Sequence, residues 1–139
     1  MNKETSFQKI VYSKINSKQQ ENYNYQKVSA ILADYGFNTL RLSDDWQGAD
    51  FIAIHINGKD FLKVQLKGRL TFEKKYLGKD IWICFPYQNS WFLYPHDTLL
   101  RTIGNKMNFT NTKSWREKHG YSWNSLSSFQ RVKLSKYKI

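Results

Sequence analysis

The chain has 139 residues, 22 basic against 11 acidic side chains and a net charge of +11. That length suits one domain, and with 40% apolar and 17% aromatic residues a disordered chain is excluded. No apolar stretch nears the ~20 residues that span a bilayer, and Cys84, the single cysteine, rules out internal disulfides and cysteine-rich zinc sites.

The start, MNKETSFQKI, lacks the ~7–15-residue apolar region of a secretory signal, so a cytoplasmic protein is expected. Residues 1–18 are polar and rich in Lys, Asn and Gln, and are expected to be a flexible segment ahead of a single domain spanning 19–139. From Gln19 to Tyr35 the residues Tyr25, Val28, Ile31, Leu32 and Tyr35 recur at helical spacing, and Gly36 follows as a C-terminal cap. FNTLRL then alternates as a strand does, and SDDWQG supplies the Ser, Asp and Gly of a turn.

Residues 48–69 read GADFIAIHINGKDFLKVQLKGR, two alternating runs about Asn57-Gly58, the dipeptide that favours a type I′ hairpin turn. A two-residue loop there pairs Ile56 with Lys59 and, counting outward, Asp50 with Gln65, with Cβ atoms about 4.5–5.5 Å apart. Lys67 lies two residues further on the same face. A loop placed one residue later sets Asp50 against Lys67 instead, but leaves the face unchanged. The opposite face carries Phe51, Ala53, Leu62, Val64 and Leu66, apolar material for a helix to cover.

DIWICFPY and SWFLYP, separated by Gln88, Asn89 and Ser90, read as a second hairpin or two adjacent strands, closed by Pro95. A short helix is expected over His96 to Ile103, stopped at Gly104, while residues 105–123 carry no clear pattern. The last segment, NSLSSFQRVKLSKYKI, reads as a helix capped by Asn124 or Ser125, with Leu126, Phe129 and Val132 inward. The order of elements predicts an α/β (α+β) domain, a central mixed β-sheet flanked by helices.

The positive charge draws polyanions, and since no long amphipathic segment gathers the basic residues for a membrane, nucleic acid is the expected partner. Lys63, Arg69, Lys74 and Lys75 surround the hairpin's polar end and are candidate phosphate contacts; sheet-edge lysines also keep edges soluble. Trp115, beside Lys113 and Arg116, is the candidate aromatic contact, with Trp82 and Trp91 assigned to the core or an interface. Trp46 and Trp123 are further large aromatics. His55, His96 and His119 have no zinc-ligand spacing and read as structural or surface residues.

Asp50, fourteen intervening residues and then Gln65-Leu66-Lys67, preceded by a helix and a Gly-Ala-Asp turn, resembles the PD-(D/E)XK nuclease superfamily over about residues 20–70. The resemblance implies a restriction-endonuclease-like core. It further implies that Asp50, Gln65 and the Leu66 carbonyl bind Mg²⁺, or Mn²⁺ in its place, that Lys67 positions or activates the attacking water, and that Glu21 on the first helix joins the catalytic set. Gln65 stands where an acidic residue is usual, and RLTFEKKYLGKD holds no clear counterpart of the helix that commonly follows.

The function so implied is a Mg²⁺-dependent DNA endonuclease or junction resolvase, working as a homodimer or higher homo-oligomer because two strands need two sites. Two alternatives stand beside it: an inactive nucleic-acid-binding protein on the same fold, and a basic inhibitor or immunity-type module that docks on an acidic protein. At residue level the alternative is a plain cross-strand ion pair of Asp50 with Lys67.

Overall fold

A computed structural model describes residues 3, 4 and 6–139, the side chains of Asp45 and Trp46 excepted. The first helix, α1 (Ser17–Asp34), begins two residues before the expected start. Asn16 accepts from Gln19 N and Gln19 Oε1 accepts from Asn16 N, both at 2.9 Å, a reciprocal cap that satisfies two otherwise orphan donors. Val28 and Leu32 are fully covered, with Tyr25 packed beside them, but Tyr35 is exposed, because the helix ends at Asp34 and Tyr35 is its cap. Gly36 has φ of +83°, and a Cβ there would lie 2.8 Å from His55 Nε2, so both backbone and space demand glycine.

Five strands form the main sheet: β1 (Phe37–Trp46), β2 (Ala49–His55), β3 (Phe61–Leu66), β5 (Ile81–Tyr87) and β6 (Ser90–Pro95), adjacent in that order. Only β3 and β5 run parallel, so the mixed sheet expected from the sequence is found. The type I′ dihedrals lie elsewhere than predicted. Gln47-Gly48 (φ +53° and +87°) closes β1 onto β2, and Gln88-Asn89 (φ +48° and +63°) closes β5 onto β6.

Asn57 does not take a positive φ, and the β2–β3 loop is wider than two residues. The Asn57 side chain accepts from Lys59 N and Asp60 N, while Ile56 N is drawn away to Gly36 O at 2.9 Å. The ladder closes instead at His55 N to Asp60 O, 2.8 Å. The register is nevertheless the one expected: Phe51 opposite Val64, Ile52 opposite Lys63, and so by the next step Asp50 against Gln65.

Each face of the sheet has its own core. α1 covers Phe51, Ala53, Val64, Cys84 and Leu93, which leaves the Cys84 thiol buried, its pKa pushed up to about 12 by burial. The other face is covered over β5 and β6 by α2 (His96–Met107) and by the short sheet of β4 (Thr71–Glu73) with β7 (Gly120–Ser122), around Phe72, Tyr76, Tyr94 and Phe109. α3 (Lys113–Lys118) and β7 occupy the stretch without clear periodicity. α2 runs through Gly104, which is buried against the core, and ends at Asn108 in the left-handed region. The last helix, α4 (Ser128–Leu134), is capped by Ser127 and Gln130 rather than by Asn124 or Ser125. It buries Gln130 and Leu134, with Leu126 covered just before it, and Val132 is exposed.

The crossover from β3 to β5 contains no α-helix; β4 and a single 3-10 turn (Lys74–Tyr76) take its place. Tyr94 binds β4 to the sheet, donating to Thr71 O at 2.5 Å and accepting from Thr71 N at 3.1 Å. β4 pairs with β7 where a helix would otherwise lie, and Glu73 is delivered to the end of β3 beside Lys67.

Candidate active site

The Gln47-Gly48 turn puts Asp50 one residue into β2, and β3 ends at Leu66, so the polar residues gather where the two strands leave the sheet. Leu66 N donates to Asp50 Oδ2 at 2.8 Å, which ties the carboxylate across the strand pair. Lys67 N continues the parallel ladder to Cys84 O at 2.9 Å, fixing the backbone on which the lysine is mounted. Gln65 Nε2 donates to Leu66 O at 3.3 Å, and Gln65 Oε1 is buried with no hydrogen-bond partner among the described residues. A buried acceptor without a donor is unusual in folded proteins and calls for a cause.

Lys67 Nζ donates to Glu73 Oε1 at 2.9 Å and lies 5.5 Å from the centre of the Tyr76 ring, while Lys75 reaches Glu73 Oε2 at 3.3 Å. Burial disfavours ionisation of Glu73, but the hydrogen bond and charge of Lys67, with those of Lys75, outweigh it and hold the carboxyl below its usual range. Behind it stands His96, fully buried, whose Nε2 accepts from Glu73 N at 3.0 Å. That bond requires an unprotonated Nε2, so the proton is on Nδ1 and is donated to Asp97 Oδ1 at 2.8 Å. Burial accordingly lowers the pKa of His96 despite the neighbouring Asp97.

A cleft of about 450 Å³ opens at this end of the sheet. Asp50, Gln65, Leu66 and Lys67 form one wall, and the first turns of α1, with Glu21, form another; Tyr12, Arg41 and Asp44 also line it. Glu21 is exposed and paired with Lys18 at 3.5 Å. Of the four expected phosphate contacts, none lines the cleft. Lys63 donates to Gln47 Oε1, Arg69 to Asn124 Oδ1, Lys75 pairs with Glu73, and Lys74 sits over the Trp115 ring. Trp115 itself packs edge-on to Phe109 in the core, so the candidate aromatic contact is half-buried. Trp82 and Trp91 pack against the α1-face core; the Trp46 side chain lies outside the described residues.

Glu73 and Arg41 are the residues sequence reasoning missed. Glu73 is the single acid in the basic run from Lys67 to Lys79, and Arg41 falls on the inward beat of FNTLRL, where a hydrophobe is expected; both signals were present. Among the described residues no three His, Cys, Asp or Glu side chains are placed to hold a metal. A cation held by Asp50, Gln65 and the Leu66 carbonyl would rest on one carboxylate and on neutral oxygens, the donor chemistry of Mg²⁺ and Mn²⁺. The orphaned Gln65 Oε1 fits such an ion.

No protein-family model matches the chain, and no curated protein matches it. Among solved structures, a Holliday junction resolvase, Hjc, from Archaeoglobus fulgidus is similar with a TM-score of 0.40 and 14% identity, over 50% of this chain and 74% of that one.

Proposed function

We propose that the chain is a divalent-cation-dependent DNA endonuclease of the PD-(D/E)XK kind, hydrolysing a phosphodiester in the cleft between α1 and the ends of β2 and β3. The observation that carries this reading is the buried, unpartnered Gln65 Oε1 beside an anchored Asp50 and a mounted Lys67. Asp50, Gln65 Oε1 and the Leu66 carbonyl would hold the ion, which when bound supplies Lewis-acid polarisation of a phosphoryl oxygen.

The chain's own groups do the rest. Water attacks phosphorus, the bond to the leaving 3′ oxygen breaks, and the proton lost by the water balances the one gained by that oxygen. Lys67 donates to the attacking water or to the phosphoryl oxygen beside it, stabilising the charge that grows there. Glu73 keeps the ammonium in place. Glu21, on the facing wall, is close to solvent and is assigned the outer water of the site. Cutting both strands takes two such sites, so an association of copies is part of the proposal.

One observation favours a second reading, binding without cleavage: among the described residues no three His, Cys, Asp or Glu side chains gather to hold a metal, and fewer charges hold a cation less tightly. Incubation with supercoiled plasmid and with branched oligonucleotides, in Mg²⁺ and in EDTA, separates the two. Cleavage is expected in Mg²⁺ and is lost in Asp50→Asn and Lys67→Met with the fold retained; retention of DNA on an inert wild-type protein is the outcome of the second reading.

A further inference from the structure

The formal charge of +11 attracts a polyanion without saying where its backbone sits. Lys67 and Lys75 are paired with Glu73, Lys18 with Glu21 and Lys113 with Glu117. Arg41 differs from these. It lines the cleft together with Asp50, Gln65 and Lys67, and among the described side chains no carboxylate lies within ion-pair distance of it.

Its partners are neutral and they fix its direction. Nη1 donates to Asn22 Oδ1, and the guanidinium carbon lies 5.1 Å from the centre of the Tyr25 ring. That ring is itself held, its hydroxyl sharing a 2.9 Å hydrogen bond with Thr39 Oγ1. Stacking on an aromatic face removes rotamer freedom from the arginine before any ligand arrives, while the planar group keeps further N–H donors in a geometry that matches two phosphate oxygens. The strand contributes as well: Arg41 opposite Phe51 is the last regular pair before the β1–β2 register breaks, and the irregular residues that follow, Leu42 to Asp44, continue the cleft wall.

We infer that Arg41, stacked on Tyr25 and bonded to Asn22, is the clamp for a backbone phosphate of the nucleic acid next to the one that is cut. This rests on the nuclease reading for the word "cut", but the contact is a binding contact and is measurable without cleavage. Arg41 is then a positioning residue for the polymer, one that sets which stretch of backbone enters the site.

Fluorescence anisotropy of a labelled duplex in EDTA, over a range of salt concentrations, tests it on wild type, Arg41→Ala, Arg41→Lys and Arg101→Ala. Arg101 carries the same charge on α2 and lies outside the cleft. Arg41→Ala is expected to weaken binding about tenfold and to reduce the slope of log affinity against log salt by about 0.9. Arg41→Lys should restore the slope but only part of the affinity, because an ammonium lacks the planar fork. Arg101→Ala should stay near wild type. Should Arg41→Ala melt below the assay temperature, Arg41→Gln carries the same comparison. Equal slopes and affinities for wild type and Arg41→Ala overturn the inference even if wild type cuts DNA. An inert wild type whose slope still falls in Arg41→Ala overturns the nuclease reading and leaves the clamp standing. An excess of inorganic phosphate that releases the duplex from wild type no better than chloride of equal ionic strength supports the polymer as the ligand; release at low millimolar phosphate refutes it.

Discussion

Gln65→Leu separates the demands of folding from those of function at one atom. In the wild type, Oε1 is buried without a donor, which costs about 1–3 kcal/mol, while the long 3.3 Å bond from Nε2 to Leu66 O returns only about 0.5 kcal/mol. Leucine, one atom shorter but of similar bulk, removes both, so the variant should be more stable than wild type by about 0.5–2.5 kcal/mol in EDTA. For a chain of this size that is a rise in Tm of about 2–9 °C. Mg²⁺ should reverse the order of benefit. At roughly tenfold excess over Kd the wild type gains about 1.4 kcal/mol from the ion, whereas the variant, lacking the amide oxygen, gains little. Urea unfolding with and without Mg²⁺ measures both differences without reference to any substrate. A leucine variant less stable than wild type in EDTA, or equal Mg²⁺ stabilisation of the two proteins, refutes the view that Oε1 is kept unpaired for a cation.

Glu73→Gln should lower kcat about 10-fold with little change in KM, since it releases Lys67 without touching the substrate, and steady-state cleavage kinetics would reveal a purely structural role as an unchanged kcat in folded protein. For His96 the sign follows from a folded pKa depressed by burial: the unfolded chain takes up a proton near pH ~6.5 that the folded chain refuses. The stability it supports is therefore complete above that pH and is lost as pH falls toward the folded value. Urea midpoints at pH 7.5 and 5.5 should differ in wild type, and the difference should shrink in His96→Asn; an equal difference in both proteins counts against the assignment.

The residues that were legible are those whose placement is decided within one or two elements. Strand alternation alone separates Phe51, Ala53 and Val64 from Asp50 and Gln65, because side chains on a strand have no choice but to alternate. The pairing register also emerged correctly, although through a turn that the chain does not use. Asn57 spends its side chain on Lys59 N and Asp60 N, and Gly36 takes the Ile56 amide, a competitor 20 residues away that no local pattern contains. Gly104 and Val132 misled for the same reason. A glycine ends a helix only if nothing packs on it, and a helical stripe is buried only if a neighbour arrives to cover it.

By itself, the sequence of this protein determined the mixed architecture, the shared face of Asp50, Gln65 and Lys67, and the basic character that favours a polyanion. Only the tertiary structure decided that Lys67 is held by Glu73, that Arg41 is aimed by Tyr25 and Asn22, and that Gln65 Oε1 is left without a donor among the described residues. These depend on which groups meet across distant parts of the chain, and on how the desolvation of each polar atom is or is not answered there. Periodicity carries the direction of a side chain, whereas its partner is set by packing.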